Sequence, residues 1–241
     1  MKIEPPQDFG RDLEAMSFAH NYHQWIFDEF QPFLGQHLLE VGAGTGDFAQ
    51  LLLQSEPLSL TVVEPSANMF PLLEEKLQNE LQTIKLQAVF GDIYQSLALQ
   101  PDTIIYVNVL EHIGEDKLEL TYIYETLPID GHVCLFVPAL QWLYGTADEN
   151  LGHFRRYSKK SLESLVQEVG FTLVKSRYFD IIGILPWWIL FCLLKRQAVN
   201  AGQISMYDKI VIPLMRKIEN KISVPLGKNI LMIGKKGTGL L

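Results

Sequence analysis

Residues 38–47, with the sequence LLEVGAGTGD, constrain this chain more than any other stretch. An apolar run ends at Gly42, Gly44 and Gly46, and apolar side chains then recur at helical spacing through residue 53. The pattern predicts a strand, a tight glycine turn and the start of a helix. Glycines let a ligand approach the main chain, and free N–H groups at a helix start face anions. We therefore expect a site here for an anionic group such as a carboxylate.

The bulk composition indicates one globular α/β domain spanning residues 1–241. The net charge is −8 and no long Lys/Arg run occurs, which argues against nucleic-acid binding. Cys134 and Cys192 stand far apart in apolar runs, as expected of buried thiols in a reducing compartment. The N-terminus lacks the apolar segment of a signal peptide. These features predict a cytoplasmic protein.

Polar residues follow each of the next predicted strands. The second strand, residues 58–63, ends at Glu64, whose two carboxylate oxygens suit the two cis hydroxyls of a ribose. The third, residues 86–90, leads to Asp92, and the fourth, residues 103–107, leads to Asn108. Ligands bind beyond the carboxyl ends of strands in open α/β sheets, so these residues are expected to share one site.

The glycine turn, Glu40-x-Gly42-x-Gly44-x-Gly46, departs from the G-x-G-x-x-G fingerprint of dinucleotide-binding proteins. It resembles motif I of the class I S-adenosylmethionine-dependent methyltransferases, in the type 11/12 methyltransferase domain superfamily. Glu64, Asp92 and the segment N-V-L-E-H-I at residues 108–113 fall in the register of that family. The resemblance covers about residues 20 to 178 and the last strand.

The resemblance implies a Rossmann-like fold: a seven-stranded, mostly parallel sheet flanked by helices, with the last strand antiparallel. It also implies S-adenosylmethionine as cofactor, held at its methionyl part by the turn, at its ribose by Glu64 and at its adenine by Asp92 and Ile93. The full set of predicted cofactor-binding residues is Tyr22, Glu40, Gly42, Ala43, Gly44, Gly46, Glu64, Pro65, Asp92, Ile93 and Asn108.

Acceptor chemistry is predicted for two segments. Glu111 and His112 follow the fourth strand, at the mouth of the expected acceptor pocket. Residues 144–157 concentrate ionisable side chains and resemble the D-x₄-H-[FY]-R-R-Y segment of a bacterial methyltransferase subgroup. His153 suits a general base, and Arg155 or Arg156 could grip an anionic group of the acceptor. The candidate catalytic residues are His153, His112, Glu111, Arg155 and Tyr157.

Alternatives remain for this chemistry. Residues 144–157 could equally form a structural latch, with Asp148 paired to an arginine and Tyr157 packed beneath the next helix. Some relatives carry Glu-x-x-Glu-His as part of a divalent-metal site. Here Asn108 replaces the first Glu, and a neutral amide oxygen is a weaker ligand for a hard cation, so we expect no metal.

The predicted activity is methyl transfer from S-adenosylmethionine to a small or lipid-like acceptor, at oxygen. The chain lacks the Asn/Asp-Pro-Pro-aromatic signature of enzymes that methylate nucleic-acid amino groups. A non-catalytic, cofactor-binding partner subunit is the alternative; the chemistry of residues 144–157 argues against it. An NAD-dependent dehydrogenase is disfavoured by the glycine spacing.

Two helical additions flank the predicted sheet: an N-terminal helix at about residues 11–34 and an insertion at about residues 180–226. Residues 181–194 are uncharged and apolar, and as a helix they span about 21 Å of a bilayer core of about 30 Å. They are expected to cap the acceptor pocket, with a homodimer contact or peripheral membrane contact through residues 181–196 as alternatives. A following stripe is expected to complete the lid, kinked or restarted at Pro213: Ile204, Tyr207, Val211, Leu214 and Ile218.

Overall fold

The computed structural model describes residues 19–78, 85–96, 100–196 and 201–238. The strands are β1 His37–Val41, β2 Ser59–Glu64, β3 Lys85–Phe90, β4 Thr103–Val107, β5 His132–Pro138, β6 Phe171–Phe179 and β7 Asn229–Lys236. The helices are α1 His20–Phe30, α2 Asp47–Leu53, α3 Phe70–Leu77, α4 Asp116–Thr126, α5 Thr146–Asn150, α6 Lys159–Val169, α7 Ile184–Trp187, a π-helix Trp188–Leu193, and α8 Ala201–Glu219. Residues 11–18 of the predicted N-terminal helix lie outside the described residues.

The seven strands form one sheet in the order β3-β2-β1-β4-β5-β7-β6. The pairs among β1 to β5 are parallel, whereas β7 runs antiparallel to both β5 and β6. This confirms the predicted seven-stranded, mostly parallel fold with a helical insertion before the last strand. The order reverses direction beside β1, so β1 and β4 diverge into a crevice at their carboxyl ends, where a ligand site is expected.

Sequence patterns set the local ends of several helices. Gly46 adopts φ 84° at the start of α2, and Gly170 adopts φ 119° at the end of α6, both in the left-handed region that favours glycine. The Ser158 hydroxyl accepts a hydrogen bond from the Ser161 amide and caps α6, as its position before an apolar helical repeat indicates. The glycine turn therefore points the start of α2 toward the carboxyl edge of the sheet.

Helix α1 is capped by a distant residue rather than a local one. The Asp208 carboxylate on α8 accepts hydrogen bonds from the Tyr22 amide at 2.8 Å and the Asn21 amide at 3.0 Å. Asp208 is 3% exposed, and Trp25 of α1 donates its indole N–H to Asn220. The insertion is thus fixed along α1 by specific polar contacts as well as by apolar packing.

The predicted stripe on α8 divides between two environments. The helix runs through Pro213 without a restart, so the other predicted alternative, a kink, stays a prediction. Ile204, Tyr207 and Val211 pack against the core, whereas Leu214 and Ile218 lie on the exposed side. Spacings of three and four residues keep the five side chains on one side of the helix. That side lies beside the buried line of Asp208, Ile212 and Met215, so part of the stripe faces the core and part faces solvent. Among the described residues, no helix is both long enough and apolar enough to cross a membrane.

Candidate active site

A cavity of about 190 Å³ lies at the carboxyl ends of β1, β4 and β5, bounded on one side by the insertion. It brings together residues that are far apart in sequence. The predicted site residues that line it are Tyr22, Glu40, Gly42, Ala43, Gly44, Asn108, Glu111, His112 and His153.

The glycine turn forms an open cradle on one wall of the cavity. Gly42, Gly44 and Gly46 have φ angles of 70°, 57° and 84°, and the amides of Gly42 and Ala43 both donate to the Val63 carbonyl. A Cβ atom added at Gly42 would lie 2.5 Å from Val109, whereas one added at Gly44 would meet nothing within 4 Å. The turn is therefore closely packed behind Gly42 and open at Gly44, where a ligand can approach the backbone.

Glu40 supplies an unpaired carboxylate oxygen to the same wall. The side chain is 2% exposed, and Oε2 has no hydrogen-bond partner among the described residues. Burial, with the nearby charges of Glu64 and Asp47, raises the pKa of Glu40 well above its ordinary value. A cationic ligand group such as an ammonium would relieve both the missing hydrogen bond and the cost of burial. The cradle and Glu40 together fit the methionyl part of S-adenosylmethionine.

The remaining predicted cofactor residues do not line the cavity: Gly46, Glu64, Pro65, Asp92 and Ile93. Glu64 accepts hydrogen bonds from the amides of Gly44 and Ser66, both at 2.7 Å, so its carboxylate braces the turn. Asp92 Oδ1 accepts from the Tyr94 amide at 3.0 Å, and Ile93 is 1% exposed. Their ribose and adenine roles stay predictions. Gly46 has a packing role, since an added Cβ would lie 2.8 Å from Leu73.

The other wall carries ionisable side chains. Glu111 is fully buried with neither carboxylate oxygen hydrogen-bonded among the described residues, and burial raises its pKa to about 8. Burial, together with neighbouring His153, lowers the pKa of His112 to about 3, so its imidazole is neutral. His153 Nε2 lies 3.9 Å from Glu111 Oε1. One donor atom from each of the three residues lies within 4.8 Å of the other two, a spacing that suits a metal ion.

Asp148 organises the loop that carries His153. Its Oδ1 accepts hydrogen bonds from His153 Nδ1 and from Arg156 Nε, both at 2.8 Å, and its Oδ2 accepts from the Gly145 amide. Burial alone would raise the pKa of Asp148, but the bonds from His153 and the charge of Arg156 lower it. With Nδ1 held this way, His153 turns Nε2 toward Glu111. Sequence reasoning paired Asp148 with an arginine but missed its bond to His153.

Arg155 and Tyr157 lie away from the cavity. The Arg155 guanidinium pairs with Asp116 at 2.5 Å and donates to the Gly114 carbonyl. The Tyr157 hydroxyl donates to the same Asp116 carboxylate at 2.8 Å, and the ring is 4% exposed within the core. These contacts favour the latch alternative for both residues. Arg156, rather than Arg155, reaches the cavity wall.

Sequence reasoning did not place Trp187, Lys228 and Asn229 individually at the site. The Trp187 indole donates to the Leu143 carbonyl at 3.1 Å, and its ring stacks under the Arg156 guanidinium at 4.7 Å. Asn229 accepts from the Tyr22 hydroxyl at 3.1 Å. Trp187 lies in the apolar run that is predicted to cap the acceptor pocket, and this is the sequence feature that indicates its place at the site. No motif marked Lys228 or Asn229, because their place depends on how β7 inserts beside β5.

Comparison with known proteins agrees with this geometry. A family model described as a methyltransferase domain matches residues 18–176, more than half of the chain. The chain therefore belongs to this family of methyltransferases, which confirms the predicted class I enzyme. No curated protein sequence matches it.

Solved structures share the fold at low sequence identity. An S-adenosylmethionine-dependent methyltransferase from Archaeoglobus fulgidus is 16% identical with a TM-score of 0.55, covering 89% of this chain and 94% of its own. A cyclopropane synthase from Mycobacterium tuberculosis is 15% identical with a TM-score of 0.57, covering 87% and 81%. Phosphoethanolamine N-methyltransferase 2 from Haemonchus contortus, in complex with S-adenosylmethionine, is 15% identical with a TM-score of 0.65, covering 97% and 59%.

Proposed function

We propose that this chain transfers the methyl group of S-adenosylmethionine to an oxygen atom of a small or lipid-like acceptor. The observation that carries the proposal is one cavity with two different walls. The open cradle at Gly44 and the unpaired Glu40 form one wall, and His153, Glu111 and His112 form the other. When bound, S-adenosylmethionine supplies a methyl group on a sulfonium, and its leaving group becomes neutral. Alignment and desolvation then matter more than charge stabilisation.

His153 is the proposed base. Asp148 holds its Nδ1, so the Nε2 lone pair is available toward the cavity, and the buried carboxylate stabilises the imidazolium once Nε2 takes a proton from the acceptor hydroxyl. His153→Gln is expected to lower kcat by about 10²- to 10⁴-fold with cofactor affinity unchanged. Lys160→Gln, at an exposed site on α6, is the control. An unchanged kcat would remove His153 from the chemistry.

The same cluster supports a second form of the mechanism, with a divalent cation. Glu111 keeps two buried oxygens unpaired, which is costly unless an ion or water satisfies them. His153 already has the carboxylate partner typical of metal-bound histidines. Our expectation of metal-free catalysis predicts turnover unaffected by a chelator. Turnover lost with chelator and restored by magnesium, manganese or zinc would favour the cation form instead, and Glu111→Gln would then weaken metal binding.

The cofactor is tested by calorimetry. Glu64→Ala is expected to weaken S-adenosylmethionine binding by about 1.5–3 kcal/mol, about ten- to a hundredfold, through the lost ribose bonds. Glu64→Gln separates the loss of ribose bonds from a loss of turn stability, because the amide oxygen of glutamine still accepts one backbone N–H. Glu74→Ala, an exposed acid on α3, is the control. Binding of NADH without binding of S-adenosylmethionine would contradict the proposal.

The acceptor is tested with labelled cofactor in a cell extract separated into lipid and aqueous fractions. Transfer of label into either fraction excludes the non-catalytic partner subunit. The cap role of the insertion is tested with Trp187→Ala, which removes a cavity wall, against Trp188→Ala, whose ring is 38% exposed. Lost turnover with intact cofactor binding in the first variant alone supports a cap over the acceptor. Equal effects in both would oppose it.

A further inference from the structure

The outer face of the insertion is unusually apolar for an exposed surface. On α8, Met206, Ile210 and Leu214 are 61%, 67% and 56% exposed, and they recur every four residues along one side. Leu193 and Leu194, at the end of the π-helix, are 58% and 57% exposed. We name the exposed apolar side of α8 the outer face; its members are Met206, Ile210, Leu214 and Ile218. Exposed apolar side chains gathered on one side of a helix, rather than scattered singly, mark an interaction site.

The inner side of α8 packs against the core and makes polar contacts with α1. Ile212 and Met215 are 1% and 7% exposed in the core, and Asp208 caps α1. The Arg216 guanidinium pairs with Asp28 on α1. Since these contacts fix the rotation of α8, the helix cannot turn its outer face toward the protein. That face must find another partner or stay in water.

Charge on the insertion is opposite in sign to that of the whole chain. Across residues 181–228 the only acids are Asp208 and Glu219, and both are buried. The exposed basic residues of the insertion are Lys195, Arg196, Lys209, Lys217 and Lys221. The chain as a whole carries a net charge of −8, so the insertion differs in sign from the rest of the chain.

We propose that the outer face docks on a lipid membrane that contains anionic headgroups, with α8 lying in the plane of the interface. A helix with an apolar face and flanking lysines binds such surfaces through buried apolar area and attraction to anionic lipids. A symmetric pair of copies would set these lysines against one another with no acid on the face to pair with them. The charge pattern therefore favours lipid over a second copy.

The insertion contributes both the outer face and one wall of the cavity, so docking of the outer face would also place the cavity near the membrane. Trp187 lines the cavity and the adjacent Trp188 is 38% exposed, so one segment of the insertion carries both a cavity wall and an exposed aromatic ring. Thr146, in the loop that carries His153, also donates to the Phe191 carbonyl. Docking would hold the insertion side of the cavity at the lipid surface. Because vesicle binding needs no cofactor, its outcome is independent of the proposed activity.

The test is co-sedimentation of the full chain with vesicles of phosphatidylcholine alone or mixed with phosphatidylglycerol. We expect binding to require phosphatidylglycerol and to weaken as salt is raised. Ile210→Ser/Leu214→Ser should reduce partitioning by about tenfold or more. Leu58→Ser, 58% exposed just before β2 and therefore remote from β6 and β7 in the sheet order, is the matched apolar control. Lys217→Gln/Lys221→Gln should reduce binding, whereas Lys160→Gln should not.

Two outcomes would overturn the proposal. One is vesicle binding that is equal in the wild type and both double variants, since the outer face would then not carry it. The other is no binding of the wild type to vesicles that contain phosphatidylglycerol. A dimer that Ile210→Ser/Leu214→Ser converts to monomer would then assign the face to a second copy. Circular dichroism and thermal unfolding confirm that each exposed-site variant is folded.

Discussion

The buried polar groups of the two cavity walls differ in their hydrogen bonding. The glycine-turn wall presents mostly backbone: the amides of Gly42, Ala43 and Gly44 are already bonded to the Val63 carbonyl and to Glu64, and Glu40 adds one carboxyl group with an unpaired Oε2. The opposite wall presents ionisable side chains, and both carboxyl oxygens of Glu111 lack a hydrogen-bond partner among the described residues. The difference suggests that the first wall is a rigid binding surface. The second wall holds ionisable side chains whose protonation or ligation a substrate, proton or ion can change.

The strongest test of this contrast is Asp148→Ala. Asp148 is fully buried and holds both His153 and Arg156, so its loss leaves a buried guanidinium without its carboxylate. We expect a loss of about 3–5 kcal/mol in the free energy of unfolding, measured by urea denaturation. Glu168→Ala breaks the exposed pair with Lys117 and should cost less than about 1 kcal/mol. Equal costs would mean that the loop is not organised from Asp148.

A pair of substitutions tests the rigidity of the backbone wall. Gly42→Ala adds left-handed strain and a clash with Val109, so we expect a loss of about 2–4 kcal/mol of stability. Gly44→Ala adds only strain, about 1–2 kcal/mol, but places a methyl group in the open cradle. It should lose S-adenosylmethionine affinity while remaining folded. Calorimetry and thermal unfolding of both variants separate packing from ligand access, and full affinity in Gly44→Ala would refute the cradle.

The side-chain wall should make stability depend on pH. The unfolded chain releases the Glu111 proton near the ordinary pKa of 4.5, while the folded chain keeps it until about pH 8. Raising the pH through this window therefore favours unfolding, by up to about 1.4 kcal/mol per pH unit. Glu111→Gln should remove that slope in urea titrations with chelator present. The same slope in wild type and variant would show that Glu111 is not the buried acid responsible.

The glycine wall was predictable from sequence and the side-chain wall only in part. Glycine spacing, the strand ends and the helix caps are local patterns, so β1 and the turn followed from them, whereas the seven-stranded sheet followed from the resemblance to class I methyltransferases. The bond from Asp148 to His153 depends on the turn of a short helix, and the capping of α1 by Asp208 joins residues 187 apart. The division of α8 between core and solvent also escaped prediction, because the line that is buried, Asp208, Ile212 and Met215, runs beside the predicted apolar stripe and includes a charged residue.

The smallest expected effect concerns Tyr157, which lies behind the side-chain wall rather than in it. Tyr157→Phe removes the hydroxyl that donates to Asp116 at 2.8 Å but keeps the buried ring, and Asp116 remains paired with Arg155. A single hydrogen bond of this kind contributes about 1 kcal/mol, so thermal unfolding should detect a small loss of stability. Because the hydroxyl does not line the cavity, kcat should stay within about twofold of the wild type once an acceptor is known. A fall in kcat comparable to that of His153→Gln would instead return Tyr157 to the reacting groups, and the division between latch and site would have to be redrawn.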